Sequence, residues 1–142
     1  MTITKVTDAG LDRSRIVTPI IINGDMSVAQ RATSVTGVTS GTYKTIDRFR
    51  ILISGAGTWT LSQSTTVPTG QGFNNSFKYD CTTADASLGS SDILGLSQKI
   101  EGFNQAAVKK GTANAEKTTL AFWVRSNKTG TYIAELYLSL IH

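Results

Sequence analysis

The sequence predicts an all-β fold, an antiparallel sandwich or barrel in a single domain. Three observations predict it. Short segments that alternate apolar and polar residues recur about eight times along the chain, the period of half-buried strands. Gly, Asn, Asp and Pro punctuate them at close spacing, as in sandwiches and barrels. Ser and Thr make up about a quarter of the residues, a bias of exposed β surfaces. A chain of 142 residues suits one domain and can bury a core without staples.

The elements follow in order. Residues 1–15 read as a lead-in arm: apolar residues are sparse, and Asp8, Gly10 and Asp12 form turns or caps. The sandwich domain is expected over residues 16–142. Ile16 to Ile22 is β-branched and apolar, but its Pro19 restricts it to an edge strand or a break. Asn23-Gly24-Asp25 is a strong turn signal. Thr42 to Ile53 contains the alternating set Phe49, Ile51 and Ile53, and Gly55-Ala56-Gly57 reads as a hairpin connection to the next strand, Thr58 to Thr65. There Trp59 and Leu61 share one face. From Ser76 to Thr82, Phe77, Tyr79 and Cys81 face one way, which predicts a buried, structural thiol at Cys81. Leu94, Leu96 and Ile100 share a phase, with Gln98 as a polar intruder. Phe103 to Lys109 suits one or two turns of helix, ended by Gly111.

The C-terminal region is the most informative. Thr118 to Arg125 and Thr131 to Ile141 read as two strands joined by Ser126-Asn127-Lys128-Thr129-Gly130. Pairing Arg125 with Thr131 sets Val124 opposite Tyr132, Phe122 opposite Ala134 and Leu120 opposite Leu136, an apolar face assigned to the core. The second face pairs Trp123 with Ile133 and Thr119 with Tyr137, flanked by Arg125. A face turned only to water should be polar. A face carrying Trp123, Ile133 and Tyr137 marks a contact surface. Three occupants compete: a segment of the same chain, a second subunit, or a sugar stacked on Trp123, since aromatic rings pack against pyranose C–H faces.

Composition narrows the chemistry. A single cysteine excludes a disulfide framework within the chain, and a single histidine, His142, excludes a multi-histidine metal site. No Gly-x-Ser-x-Gly elbow, phosphate loop or His-Glu-x-x-His occurs. No catalytic residue, metal ligand or cofactor site is therefore assigned, and the expectation is a protein that is not an enzyme. The net charge is +4, yet the basic residues are scattered. The tightest cluster, Lys44, Arg48 and Arg50, is interrupted by Asp47, so no nucleic-acid partner is expected. The longest apolar run, Ile20-Ile21-Ile22, falls far short of the roughly 20 residues that span a bilayer, so no membrane insertion is expected. The opening residues lack the apolar segment of a secretory signal, which predicts synthesis in a cytosol.

Five stretches carry a resemblance: Ile20-Ile21-Ile22-Asn23-Gly24-Asp25-Met26-Ser27-Val28-Ala29-Gln30-Arg31, Thr45 to Arg50, Gly57 to Gln63, Gln98 to Gly102, and Thr119 to Asn127. In this order and spacing the chain resembles marine bacteriophage tail-fibre and appendage proteins. The family in turn resembles jelly-roll carbohydrate-binding modules, with Ser76-Phe77-Lys78-Tyr79 and Leu120 to Val124 as matching strands. The resemblance implies a jelly-roll sandwich in a virion appendage, made in the host bacterial cytoplasm. It implies a homotrimer that docks on other particle proteins through the N-terminal arm and touches host surface glycan. A capsid decoration protein or head fibre would carry the same fold at another address. Family members continue past the equivalent of Leu136 with further strands, so the expectation here is a domain whose final strands come from neighbouring subunits, or a shortened form serving assembly. The residues expected to form the interface or glycan-stacking patch are Trp123, Ile133, Tyr137 and Arg125.

Overall fold

A computed structural model of the chain describes residues 19–137. The expected arm and Ile141 lie outside the described residues. The fold is all-β: five strands, β1 (Ser34–Val38), β2 (Phe49–Ser54), β3 (Thr58–Ser64), β4 (Ser76–Thr83) and β5 (Ile93–Gln98), and one 3₁₀ turn, Gly102–Val108. They form two antiparallel sheets, β1-β3-β4 and β2-β5. Five strands among the described residues replace the eight or so expected.

The alternating segments become strands where an apolar stripe meets an opposing sheet. In β2, Phe49, Ile51 and Ile53 are buried, while the intervening Arg50 and Leu52 are half-buried. Ile51 and Ile53 meet Val38 of β1 and Leu61 of β3, and Val35, Trp59, Phe77 and Tyr79 pack around that cluster. The core thus lies between the sheets, in the manner of a sandwich. The aromatic stripe continues across β3 and β4: Trp59 meets Tyr79 edge-on at 6.4 Å between centroids, and Phe77 meets Tyr79 at 4.9 Å.

Three local expectations are corrected, and one strand is added. Ile20 to Ile22 is not a strand; the chain turns at Ile22–Asp25, since Pro19 offers no ladder donor and Asn23 takes φ 58°. The strand β1 carries no clean alternation, because Gly37 at φ 69° interrupts it and the register shifts between Val35 and Val38. Gly55-Ala56-Gly57 does not close a hairpin. β2 and β3 lie in different sheets, with β2 paired to β5 from Phe49↔Gln98 to Ser54↔Ile93. Gly55 and Gly57, at φ 63° and 81°, turn the chain from one sheet to the other. A Cβ on Gly57 would also strike the Thr83 carbonyl. The corner is pinned by the Trp59 indole, which donates to the Ala56 carbonyl at 2.6 Å. Finally, Cys81 is exposed, because the core ends before it on β4.

Tyr79 links the sheets. Its hydroxyl donates to the Gly95 carbonyl of β5 at 3.2 Å, and burial pushes its pKa well above the ordinary value near 10. The unfolded chain therefore releases this proton first as pH rises. Stability from this group is complete below about pH 10 and is lost as pH climbs from there toward the folded pKa. Alkaline titration followed by phenolate absorbance should show a late phase, well above pH 10, that belongs to Tyr79. In Tyr79→Phe that late phase should vanish, with a stability loss of about 1 kcal/mol. A titration of the folded protein without that late phase would contradict the burial.

Candidate functional site

Four of the five stretches that carry the resemblance meet at the loop between Ile22 and Arg31, through Asp47, Gln63 and Gln98; Thr119 to Asn127 does not. Asn23 occupies the left-handed region, and its side chain closes the loop from both ends. The Asn23 amide donates to the Val28 carbonyl at 2.9 Å and to the Asp47 carbonyl at 3.0 Å, while the Val28 N–H donates to Asn23 Oδ1 at 2.9 Å. Asn is among the few residues that take this backbone conformation and supply both a donor and an acceptor. Asp25 accepts from the Ser27 hydroxyl at 3.1 Å, a local turn bond. Asp47 then holds the far side: its carboxylate accepts from the Gln30 N–H and pairs with Arg31 at 2.9 Å.

Two glutamines fasten this loop to the sheets. Gln63, at the end of β3, donates to the Met26 and Ser27 carbonyls at 2.6 and 3.1 Å. Gln98, at the end of β5, accepts from the Ile22 N–H at 2.8 Å and donates to the Ile22 carbonyl at 2.7 Å. Arg48 reaches Glu101 at 3.0 Å. The Gln98 intruder in an apolar phase is thus explained: its amide replaces a ladder for a residue that has none. Asn23, Asp47, Gln63 and Gln98 each serve backbone satisfaction, and the Arg31 and Arg48 ion pairs brace them. The motif is a structural clamp, and Tyr43, half-buried with the Arg31 guanidinium 5.8 Å over its ring, belongs to it.

The candidate patch lies elsewhere. Ser126 to Tyr132 makes the expected connection. Ser126 Oγ accepts from the Lys128 N–H at 3.0 Å, and the Tyr132 hydroxyl donates to the Lys128 carbonyl at 2.9 Å. The flanking arms do not pair: no strand is formed between residues 117 and 137. Trp123 is 64% exposed, Ile133 and Tyr137 are 84% exposed, and Arg125 is exposed beside them. The face expected to enter the core, Leu120, Phe122, Val124 and Leu136, is likewise half or more exposed. The reason is physical. A lone two-stranded hairpin is marginal in water, and among the described residues neither face of this one meets an opposing sheet. All four expected patch residues are therefore accessible, on a segment that carries eight large exposed apolar side chains.

Other site types are sparse. A shallow groove of about 210 Å³ is lined by Gly41, Arg50, Leu52, Ile53, Ser54 and Ile93 on the outer side of β2. Among the described residues no group of His, Cys, Asp and Glu side chains could hold a metal ion, and no helix is long and apolar enough to cross a membrane. Compared with known proteins, the chain matches no family model, no curated protein and no solved structure.

Proposed function

We propose that this chain is a non-enzymatic structural protein of a bacteriophage particle, a tail fibre or tail-fibre base that serves assembly and host attachment. The observation that carries the reading is the exposed apolar segment between Leu120 and Tyr137. A segment with Phe122, Trp123, Ile133 and Tyr137 in water is a contact surface, and its burial is the driving force for assembly. The resemblance supplies the address: a jelly-roll virion appendage, trimeric, docked through its N-terminal arm. That four of the five stretches carrying this resemblance meet in one clamp supports reading those four as a unit. Light scattering of the purified chain tests the proposal. A mass three times 15.2 kDa is expected. A monomer at micromolar concentration overturns it.

A second reading has its own observation. Trp123 and Tyr137 stand exposed near the Arg125 guanidinium in sequence, a set suited to stacking and hydrogen bonding a host polysaccharide. Under this reading added polysaccharide changes tryptophan emission, and Trp123→Ala abolishes the change while Trp59, half-buried, stays silent. No response to any host glycan removes it.

A further inference from the structure

We infer that the segment Thr118 to Tyr137 of one copy adds as β-structure to the free edge of β5 in a second copy, so that subunits exchange strands. The inference deepens the oligomer reading above and rests on it.

The sandwich is open on one side. In β5, Leu94 and Leu96 stand opposite Ile53 and Ile51 of β2 and so share the core face. Ile53 and Ile51 are buried, whereas Leu94 and Leu96 are 44% and 40% exposed. The apolar face of this sheet therefore runs on past β2 and loses its cover at β5. Among the described residues β5 has β2 as its single neighbour, and β4 has β3. The Tyr79 bond to Gly95 ties β4 to β5, which puts both edges on the same side of the sandwich. An uncovered edge with an apolar flank is a template for another strand.

The segment is the complementary piece. Its base is fixed beside the 3₁₀ turn, where the Glu116 N–H donates to the Val108 carbonyl at 2.9 Å and Lys110 donates to the Glu116 carbonyl. From residue 109 to 137 every residue is exposed. Its sequence alternates, and the turn between its arms is already held by the bonds of Ser126 and Tyr132 to Lys128, so part of the ordering precedes pairing. Each arm has seven or eight residues, against six in β5 and eight in β4. Among the described residues its backbone groups between residues 118 and 125 have no backbone partner, and strand addition would satisfy them.

The area suffices. Phe122, Trp123, Tyr132 and Tyr137 can each bury about 150–250 Å². They are 62–84% exposed, and with the exposed Leu120, Val124, Ile133 and Leu136 they can supply on the order of the 800 Å² that each partner gives to a stable interface. A second copy is the occupant because the segment leaves its own β5 uncovered: Leu94, Leu96 and every residue from 109 to 137 are exposed, so both complementary surfaces stay open on each copy. Two copies therefore complement each other with no third component.

The test uses the full chain, mixed from isotope-labelled and unlabelled subunits and then reassembled. The expected result is an oligomer in which amides of 118–125 and 131–137 exchange about a hundredfold slower than those of 109–116. Isotope-filtered contacts should then join Phe122, Val124 or Leu136 of one copy to Leu94 or Leu96 of another. An oligomer with fast exchange in the segment overturns strand exchange and leaves the assembly reading standing. So does an oligomer whose segment is protected by contacts within one copy alone. A monomer, whether its segment is protected or not, overturns both.

Discussion

Leu61→Ala is expected to destabilise the fold by about 3 kcal/mol, within the range for deleting buried methyl groups. Leu61 is fully buried at the centre of β3, where it meets Ile51 and Ile53 from the facing sheet. The cost should be high because the cluster is small. Among the described residues six apolar side chains are buried, Val38, Ile46, Phe49, Ile51, Ile53 and Leu61, and Leu61 is the one such residue that β3 contributes. Backbone pairing on both sides, to Val35 of β1 and Tyr79 of β4, prevents the sheet from closing over the void. A milder trim, Ile51→Val, should cost about 1 kcal/mol. Leu88→Ala, on a residue 68% exposed, should change stability by less than about 0.5 kcal/mol. Urea denaturation at one fixed protein concentration measures all three. Equal midpoints for Leu61→Ala and Leu88→Ala would show that the core does not lie between the sheets.

The class of fold was legible because alternation is local. Phe49, Ile51 and Ile53, or Trp59 and Leu61, announce a half-buried strand without reference to any neighbour, and Gly102–Val108 announces a turn of helix by its end signals. Sheet pairing was not legible, because it is decided by what lies opposite. Gly55-Ala56-Gly57 has the composition of a hairpin turn, and only the capture of β2 by β5 shows that the chain crosses between sheets there. The strand β1 stayed hidden for a related reason. Gly37 breaks its pattern, and its pairing with β3 comes from the partner's ladder. The candidate segment was half legible. Its apolar second face and its turn were readable from Trp123, Ile133 and Ser126. The missing ladder was not, because alternation reports that a segment suits a sheet, not that its own chain supplies the cover. The clamp was visible as a motif, but its role was not. Asn23 and Gln98 lie 75 residues apart, and only the fold shows that both serve the same loop.

That loop gives the second large effect. Asn23→Ala should cost about 3 kcal/mol, more than an ordinary hydrogen-bonding side chain. Two contributions add. The alanine must hold φ near 58°, which for a residue with a Cβ costs roughly 1–2 kcal/mol. It also leaves the exposed Val28 N–H without the Oδ1 acceptor, and the part-buried Asp47 carbonyl without the side-chain donor, together costing about 1–2 kcal/mol. Asn23→Gly separates the two. Glycine takes the same backbone angle freely, so it should recover the conformational part and lose only the bonds, falling about midway between Asn23→Ala and the parent. Asn23→Asp keeps the acceptor for Val28 N–H but turns the donor into an anion facing the Val28 and Asp47 carbonyls, with the Asp47 carboxylate nearby. It should be no better than glycine at neutral pH and should recover as the new carboxyl protonates in acid. Thermal melts of the four proteins at pH 7 and pH 4 give the ordering. If Asn23→Gly is as stable as the parent, the side-chain bonds contribute nothing and the motif is held by backbone geometry alone. If Asn23→Ala matches Asn23→Gly, the left-handed turn is not occupied in solution.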